Sequence, residues 1–325
     1  MPCMTNYETP VQTLLGIEHP LLGGTMMDLS TPSFVAAISN AGALGILASA
    51  MFKDEGRFRD AVRKTQDLTD RPIAVNINLF PMMEKLDNHR YVEIMVDEGV
   101  AIVETSGFAP PEDLVKTFKA HDLRWMHKCV GVRYAKKAEK MGADAVTVVG
   151  YENGGATGNL NVTTMVLVPA TSRALAIPVI GGGGIVDAAT FLAVMALGAR
   201  GAIVGTRFML SEECPLHRNV KEALIEATEQ DTDVIMRSVG FAHRVWMNEA
   251  SRKAAEAEAK GGGIAEIYPY VSGKAAREMY ENGDTAAGSM SCSQAVGLID
   301  TIKPVKAIVE EIIGGSKEKA RYLKV

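Results

Sequence analysis

The chain has 325 residues, of which 47% are hydrophobic and 22% are charged, and its formal net charge is −5. This length and apolar content allow a large buried core, whereas the negative net charge and the scattered lysines and arginines argue against a nucleic-acid-binding surface. No stretch is long and apolar enough to cross a bilayer, and the first ten residues lack the apolar segment of a secretion signal, so we expect a cytoplasmic protein without a membrane partner.

Strand-like and helix-like segments alternate from residue 19 to residue 208. Several strand-like segments, such as AIVE and AVTVV, are continuously apolar, which is typical of parallel strands buried on both faces. The pattern predicts strands at 19–24, 43–49, 73–80, 101–107, 124–130, 145–151, 178–184 and 201–208. It predicts helices at 31–42, 53–69, 88–99, 111–122, 133–142, 163–175 and 187–199. Eight such units favour a (β/α)8 TIM barrel, although a doubly wound open sheet would show similar units.

The most informative stretch is PVIGGGGIVDAATFLAVMALGARGAIVGTRF, residues 178–208. It predicts a strand, a loop of four glycines, a helix that begins at Asp187, a further strand and a second turn of small residues. Glycines let the backbone approach a ligand closely, and the loops after strands seven and eight of a barrel commonly bind phosphate. The alternative interpretation is a pair of glycine-rich turns in any parallel sheet.

The sequence after the eighth predicted strand becomes helical and charged. We therefore predict a barrel formed by residues 1–212 and 284–325, with a small helical cap domain, 213–283, inserted after strand eight. Residues 293–315 predict a helix that returns to close the barrel. Within the cap, Met236, Phe241, Trp246 and Met247 have helical spacing and would form the cap core or line a pocket for an acyl chain. Residues 261–273 predict a loop, either a lid or ordinary surface.

Cysteine and histidine patterns do not indicate a metal or a disulfide framework. Four cysteines, Cys3, Cys129, Cys214 and Cys292, lie far apart without paired spacing. The six histidines also lack the spacing of metal ligands. We expect a metal-free site, with Cys129 in the core.

Six segments together carry a resemblance to a known family: HPLLGGTMMDLSTPSFVAAISNAGALGILAS, VNINLF, WMHKCV, GYENGGATG, PVIGGGGI and GARGAIVGTRF. They resemble the nitronate monooxygenases, formerly called 2-nitropropane dioxygenases, which are related to the flavin-dependent enoyl-acyl-carrier-protein reductases. The match runs in order from His19 to about Glu213 and resumes weakly near Gln294. It implies a barrel that holds noncovalent FMN beneath a helical domain covering the substrate pocket.

The resemblance also implies which residues hold the cofactor. The flavin ring would lie over Gly23, Gly24, Thr25 and Met26. Asn78 and Lys128 would contact the ring or the ribityl chain, and Gly155 would also approach the cofactor. The phosphate would bind Gly182, Gly183, Gly184, Gly205 and Thr206. A lysine on an apolar strand is rarely buried without a partner, and an anionic reduced flavin would supply one. The alternatives are a lysine reaching the strand mouth and an asparagine that satisfies loop backbone.

One position departs from the family pattern. The strand-six motif of the family ends in a histidine proposed to transfer a proton, whereas this chain has Ala156 after Gly154 and Gly155. An alanine cannot accept or donate a proton. The resemblance therefore supports cofactor binding more strongly than it supports any catalytic assignment.

Three explanations of Ala156 stay open at this point. The substrate arrives already anionic, as a nitronate oxidised with O2, so that no base is needed. Alternatively, another side chain replaces the histidine; the candidates are Glu104, His127 and Tyr151, with Asp28, His243 and Tyr268 also considered. His127 should point out of the barrel if Lys128 points in. In the third explanation, an NAD(P)H-dependent flavin reductase or dehydrogenase acts on an enoyl or acyl thioester, with protons from water or from the substrate.

A flavin-binding protein without turnover is a hypothesis of another class. The flavin-binding segments alone would explain the intact motifs, and a lost catalytic histidine fits such a protein. No dinucleotide fingerprint is present, so NAD(P)H would react through the open face of the flavin. A homodimer is compatible with the composition.

Overall fold

The computed structural model describes residues 7–80, 86–107 and 109–323, so Cys3 lies outside the described residues. The strands within these ranges are β1 Leu21–Gly23, β2 Gly45–Ala48, β3 Ile73–Asn78, β4 Ile102–Ser106, β5 Arg124–Cys129, β6 Ala145–Val149, β7 Gly155–Ala156, β8 Val179–Gly182, β9 Gly201–Val204, β10 Thr232–Ile235 and β11 His243–Trp246.

The helices of the same ranges are α1 Pro10–Leu15, α2 Pro32–Asn40, α3 Glu55–Asp67, α4 Asn88–Asp97, α5 Val115–Ala120, α6 Val132–Met141, α7 Thr164–Ala174, α8 Ala188–Ala196, α9 Thr206–Met209, α10 Arg218–Ile225, α11 Glu249–Ala259, α12 Ile264–Val271, α13 Gly273–Asn282 and α14 Val305–Leu323. Two short 3-10 helices cover Ser49–Met51 and Gln294–Leu298. None of the helices in the described ranges is long and apolar enough to cross a membrane.

Eight parallel strands form the barrel. They pair in the order β1-β9-β8-β6-β5-β4-β3-β2, and a parallel bridge between Leu22 and Leu44 links the two outer strands. Helices connect successive strands, so the predicted (β/α)8 TIM barrel is confirmed. Because the strands are parallel, all their carboxyl ends lie at one rim, where loops build the active sites of such barrels.

Alternate residues of each strand face two different cores. Leu22, Met126 and Ile180 pack with other apolar side chains inside the barrel, whereas Val103 and Trp125 pack outward against the helices. Burial on both faces explains the continuously apolar strand sequences. It also means that a polar side chain directed into the barrel needs a partner there.

The inserted segment contains strands that the sequence analysis did not predict. β11 pairs with β10 and, on its other side, with β7, which lies in the loop after β6. None of the four residues assigned helical spacing lies in a helix: Met236 has a φ of 63° directly after β10, Trp246 ends β11, and Phe241 and Met247 lie outside the helices and strands. One pairing partner of β11, the strand β7, is distant in sequence, and local spacing carries no signal of this pairing. The domain boundaries at 212 and 284 stay a prediction.

Three further boundaries differ from the prediction. The eighth predicted strand, 201–208, corresponds to β9 and ends at Val204 because Thr206–Met209 form the buried helix α9. Residues predicted as a loop at 261–273 contain α12, whose Ile267 is fully buried. The predicted closing helix is split into the 3-10 helix Gln294–Leu298 and α14, which begins after Pro304. Asp187 is the N-cap of α8 and accepts a hydrogen bond from the Thr190 N–H, as the capping signal predicts.

Candidate active site

A cavity of about 680 Å³ opens at the carboxyl ends of the barrel strands. Ten of the residues that the resemblance assigned to the cofactor line this cavity: Gly24, Thr25, Met26, Asn78, Lys128, Gly155, Gly183, Gly184, Gly205 and Thr206. They come from the ends of five barrel strands and from β7. Loops that are far apart in the sequence therefore meet around one space large enough for a cofactor and a substrate.

Two assigned glycines face packed neighbours instead of the cavity. A Cβ on Gly23 would lie 2.7 Å from Cδ1 of Ile38 in α2. A Cβ on Gly182 would lie 2.5 Å from Cγ2 of Ile203 inside the barrel. These glycines are explained by close packing, which the sequence could not distinguish from ligand binding.

Glu104 is the centre of a buried polar cluster beneath the cavity. Its Oε2 accepts hydrogen bonds from Oγ1 of Thr25 at 2.7 Å, from Nδ2 of Asn76 at 2.6 Å and from Nζ of Lys128 at 3.1 Å. The Glu104 side chain is fully buried, and Lys128 is 19% exposed. The carboxylate thus compensates the lysine charge and orients Thr25.

Lys128 and His127 lie on opposite faces of β5, as strand alternation predicts. Lys128 lines the cavity, whereas His127 is fully buried outside the barrel, where its Nδ1 lies 2.9 Å from Oγ1 of Thr105. That hydroxyl also accepts a hydrogen bond from Nε1 of Trp125 at 2.8 Å. Burial lowers the pKa of His127 to about 4. His127 is therefore a neutral structural histidine and does not reach the cavity.

The remaining candidates from the sequence also lie away from the cavity lining. Tyr151 receives a hydrogen bond from Nη2 of Arg237 at 3.3 Å, and its ring lies 4.5 Å from the guanidinium carbon of Arg244. Asp28 pairs with Arg277 at 3.3 Å, and Tyr268 is 42% exposed on α12. These side chains anchor loops or face solvent, so none of them is placed to act on a molecule in the cavity.

Gly183, Gly184 and Gly205 form an open backbone cradle at the ends of β8 and β9. Gly183 has a φ of 94° and Gly184 a φ of 80°, conformations that L side chains rarely adopt. Among the described residues, the N–H groups of Gly184 and Ile185 have no hydrogen-bond partner. A Cβ on Gly205 would meet no atom within 4 Å. Unpaired N–H groups beside open space suit an anion such as phosphate.

A late segment of the chain completes the site. Ser293 donates its N–H to Oγ1 of Thr206 at 3.0 Å and its hydroxyl to the carbonyl oxygen of Glu152 at 2.6 Å. The Glu152 carboxylate in turn accepts hydrogen bonds from the backbone and hydroxyl of Thr164, each at 2.9 Å. These bonds hold the loop after β6 against the cradle. Ser293 had no sequence signal as a site residue.

His243 is the histidine that the fold brings to the cavity. The pairing of β11 with β7 places His243 directly opposite Ala156 and Arg244 opposite Gly155. Nε2 of His243 lies 2.8 Å from Oγ of Ser291, and both residues line the cavity. Burial lowers the pKa of His243 to about 4. His243 is among the candidates that the sequence offers, but only the strand pairing shows its position opposite Ala156.

Comparison with known proteins gives a consistent picture. The family model described as nitronate monooxygenase matches residues 8–315. A nitronate monooxygenase of Paraburkholderia phytofirmans is 26% identical, and the match covers 96% of this chain and 96% of that protein.

Two further proteins are more similar in sequence. A (3aS,4S,5R,7aS)-5-hydroxy-7a-methyl-1-oxo-octahydro-1H-indene-4-carboxyl-CoA dehydrogenase of Rhodococcus jostii is 30% identical over 95% of this chain and 96% of that protein. The structure of FabK from Thermotoga maritima superposes with a TM-score of 0.90 and 35% identity, covering 98% of both chains.

Proposed function

Because the chain belongs to the nitronate monooxygenase family and is an oxidoreductase, we propose that it binds FMN in the cavity and reduces the α,β double bond of an enoyl thioester with electrons from NAD(P)H. The observation that carries the choice of substrate is the apolar rim of the cavity. Met27, Leu160 and Phe241 line it although their side chains are 42%, 49% and 37% exposed. Exposed apolar side chains grouped at one opening indicate a binding surface for an apolar ligand.

The residues of the cavity fit FMN. The unpaired N–H groups of Gly184 and Ile185 lie beside the open space at Gly205, which an added Cβ would fill, and this cradle suits the FMN phosphate. Lys128 and Asn78 would contact the flavin ring or the ribityl chain from β5 and β3. When bound, FMN would supply the two-electron chemistry of the reaction.

The charges in the cavity lining favour a thioester over a small anion. The ammonium of Lys128 is already compensated by Glu104 at 3.1 Å, so it offers little net charge to a nitronate. Arg133, another cation of the lining, is exposed, and its guanidinium carbon lies 4.5 Å from the ring centre of Tyr134. An exposed arginine at the opening suits a phosphate of a thioester carrier such as coenzyme A. The dehydrogenase of Rhodococcus jostii is named for a carboxyl-CoA substrate, which supports the same class.

The residues of this chain would bind and orient the reactants. Thr25 is held by Glu104 at the end of β1, which fixes the loop that would lie beneath the flavin. Met26, Met209 and Met236 line the cavity and would pack against the apolar part of the acyl chain. NAD(P)H would enter through the same opening, because the sequence has no separate dinucleotide fingerprint.

Oxidation of a nitronate with O2 is the second candidate. It is favoured by the family model and by the nitronate monooxygenase of Paraburkholderia phytofirmans. An anionic nitronate also requires no base, which suits Ala156. The two candidates differ in electron flow: the nitronate donates electrons to the flavin, whereas the enoyl thioester accepts them.

The experiment is an anaerobic flavin assay. The purified protein, loaded with FMN, is mixed separately with NADH, NADPH and propionate 3-nitronate while the visible flavin absorption is followed. We expect bleaching by a nicotinamide and recovery of the absorption on addition of crotonyl-CoA. Bleaching by the nitronate alone would replace our proposal with the second candidate. Absence of bleaching by all three compounds would contradict both and would favour a flavin-binding protein without turnover.

A further inference from the structure

His243 occupies the position in space that faces Ala156. The antiparallel pair β7–β11 aligns Ala156 with His243, and directly opposed residues of such a pair have Cβ atoms roughly 5 Å apart. A histidine on β11 can therefore present its ring to the same part of the cavity as a side chain on β7. Both residues line the cavity.

One nitrogen of the His243 imidazole contacts a protein side chain, and the other has no protein partner among the described residues. Nε2 lies 2.8 Å from Oγ of Ser291, and a Cβ on Gly155 would lie 3.7 Å from both Cε1 and Nε2. Within the described ranges, Nδ1 of His243 has no hydrogen-bond partner. A polar atom of a cavity-lining ring without a protein partner is available to a bound molecule.

Its surroundings keep the imidazole neutral. Burial lowers the pKa of His243 to about 4, so at neutral pH one ring nitrogen carries a hydrogen and the other accepts. A Ser291 hydroxyl that donates to Nε2 leaves the ring hydrogen on Nδ1, whereas one that accepts leaves it on Nε2. The first tautomer presents an N–H to the cavity. A neutral imidazole is a weak acid but a good hydrogen-bond donor to an oxygen that gains negative charge.

We infer that His243 is a substrate-binding residue that replaces the side chain absent at Ala156 and donates a hydrogen bond from its ring to the carbonyl oxygen of the thioester. The inference rests on the proposed function. A hydride delivered to the β carbon shifts the electron pair of the double bond toward the carbonyl oxygen, and the α carbon then takes a proton from water. The negative charge on that oxygen is greatest in the transition state, which is where the hydrogen bond contributes.

The other candidates do not have this geometry. Glu104 lies beneath the cavity with its Oε2 occupied by three donors. His127 lies outside the barrel, and Tyr151 is bound by arginines. Among the sequence-based candidates within the described residues, His243 alone combines a place in the cavity lining with a ring nitrogen available to substrate.

The kinetic test separates the two halves of the reaction. His243→Ala and His243→Gln are compared with the wild type for NAD(P)H oxidation by a small quinone and for reduction of crotonyl-CoA. We expect His243→Ala to lower kcat for crotonyl-CoA about 100-fold more than it lowers kcat for the quinone reaction, with partial recovery in His243→Gln, whose amide can donate. The control His121→Gln changes an exposed histidine and should match the wild type in both reactions. Crotonyl-CoA turnover in His243→Ala within threefold of the wild type would overturn the inference.

A spectroscopic test does not depend on turnover. Protein labelled with ¹⁵N in its histidine rings is observed by NMR before and after titration with butyryl-CoA, a saturated thioester, with binding followed separately by calorimetry. We expect the hydrogen of His243 on Nδ1 and a change of its Nδ1 shift on binding, while His121 stays constant. Butyryl-CoA binding without a change at His243, or a ring hydrogen on Nε2, would overturn the inference alone. Absence of binding would overturn the proposed function and the inference with it.

Discussion

Nζ of Lys128 lies 3.1 Å from Oε2 of Glu104, and these two residues on neighbouring strands form the only ion pair among the described residues with a fully buried carboxylate partner. Asn76 and Thr25 donate to the same oxygen. The pair lies directly beneath the cavity and joins strands β3, β4 and β5 to the loop after β1. The Glu104 carboxylate therefore both stabilises the barrel rim and offsets the positive charge that Lys128 presents to a ligand.

Glu104→Gln should destabilise the protein by about 3 kcal/mol, because it leaves the partly buried ammonium of Lys128 without a compensating charge. Urea unfolding of the cofactor-free protein measures this change. The double variant Glu104→Gln/Lys128→Met removes both charges and should recover most of the lost stability. Equal stability of Glu104→Gln and the wild type would show that the pair contributes nothing.

Gly205→Ala and Gly182→Ala form a matched pair that separates ligand space from packing. A Cβ on Gly205 meets open space, so the unfolding free energy should change by less than about 0.5 kcal/mol. The methyl group would, however, fill the proposed phosphate cradle and raise the dissociation constant for FMN about tenfold or more. Fluorescence titration with FMN measures the affinity.

Gly182→Ala should show the opposite behaviour. Its Cβ would lie 2.5 Å from Cγ2 of Ile203 and 2.9 Å from Cγ1 of Val149, so overpacking should cost about 1 to 3 kcal/mol of stability. FMN affinity of the folded fraction should change less than in Gly205→Ala. If Gly205→Ala binds FMN as tightly as the wild type, the phosphate does not lie at that glycine.

Stability should fall as the pH is lowered from about 6.5 to about 4. The folded protein holds the pKa of His127 and of His243 at about 4, below the value of 6.5 for an unperturbed histidine. Between these two pH values the unfolded chain binds protons at both histidines and the folded chain does not. Each histidine therefore lowers the free energy of unfolding as the pH falls, and this loss is absent above pH 6.5. In His127→Gln the slope of the unfolding free energy against pH should decrease by the amount that corresponds to uptake of about one proton. An unchanged slope would contradict the buried position of His127.

Lys221→Met should lower the free energy of unfolding by about 2 to 3 kcal/mol. The Lys221 ammonium donates hydrogen bonds to the carbonyl oxygens of Ser211 at 2.6 Å and Cys214 at 2.7 Å, and its loss leaves these buried acceptors unsatisfied. Lys221 is 5% exposed, so water cannot replace it. The control on the same helix is Arg218→Met, which removes an exposed pair with Glu222 and should cost less than about 0.5 kcal/mol. Differential scanning calorimetry compares the two, and equal losses would contradict this role of Lys221.

Features that depend on local patterns were predictable. The continuously apolar strands, the capping aspartate at 187 and the glycine-rich exits at 183, 184 and 205 predicted a barrel with a ligand-binding rim. Strand alternation also separated Lys128 from His127 correctly. The prediction failed for β10, β11 and α12, where tertiary pairing and burial of Ile267 overrode the local composition.

The sequence by itself determined the barrel, the rim at which its loops meet and the absence of a histidine at position 156, because strand periodicity and glycine positions are local properties of the chain. Only the tertiary structure decided that Glu104 neutralises Lys128, that Gly23 and Gly182 serve packing, and that His243 faces Ala156. The physical reason is that each of these relationships joins residues on different strands, helices or loops. Side-chain contact depends on packing, strand pairing and register, which bring together positions 15 to 87 residues apart in the chain.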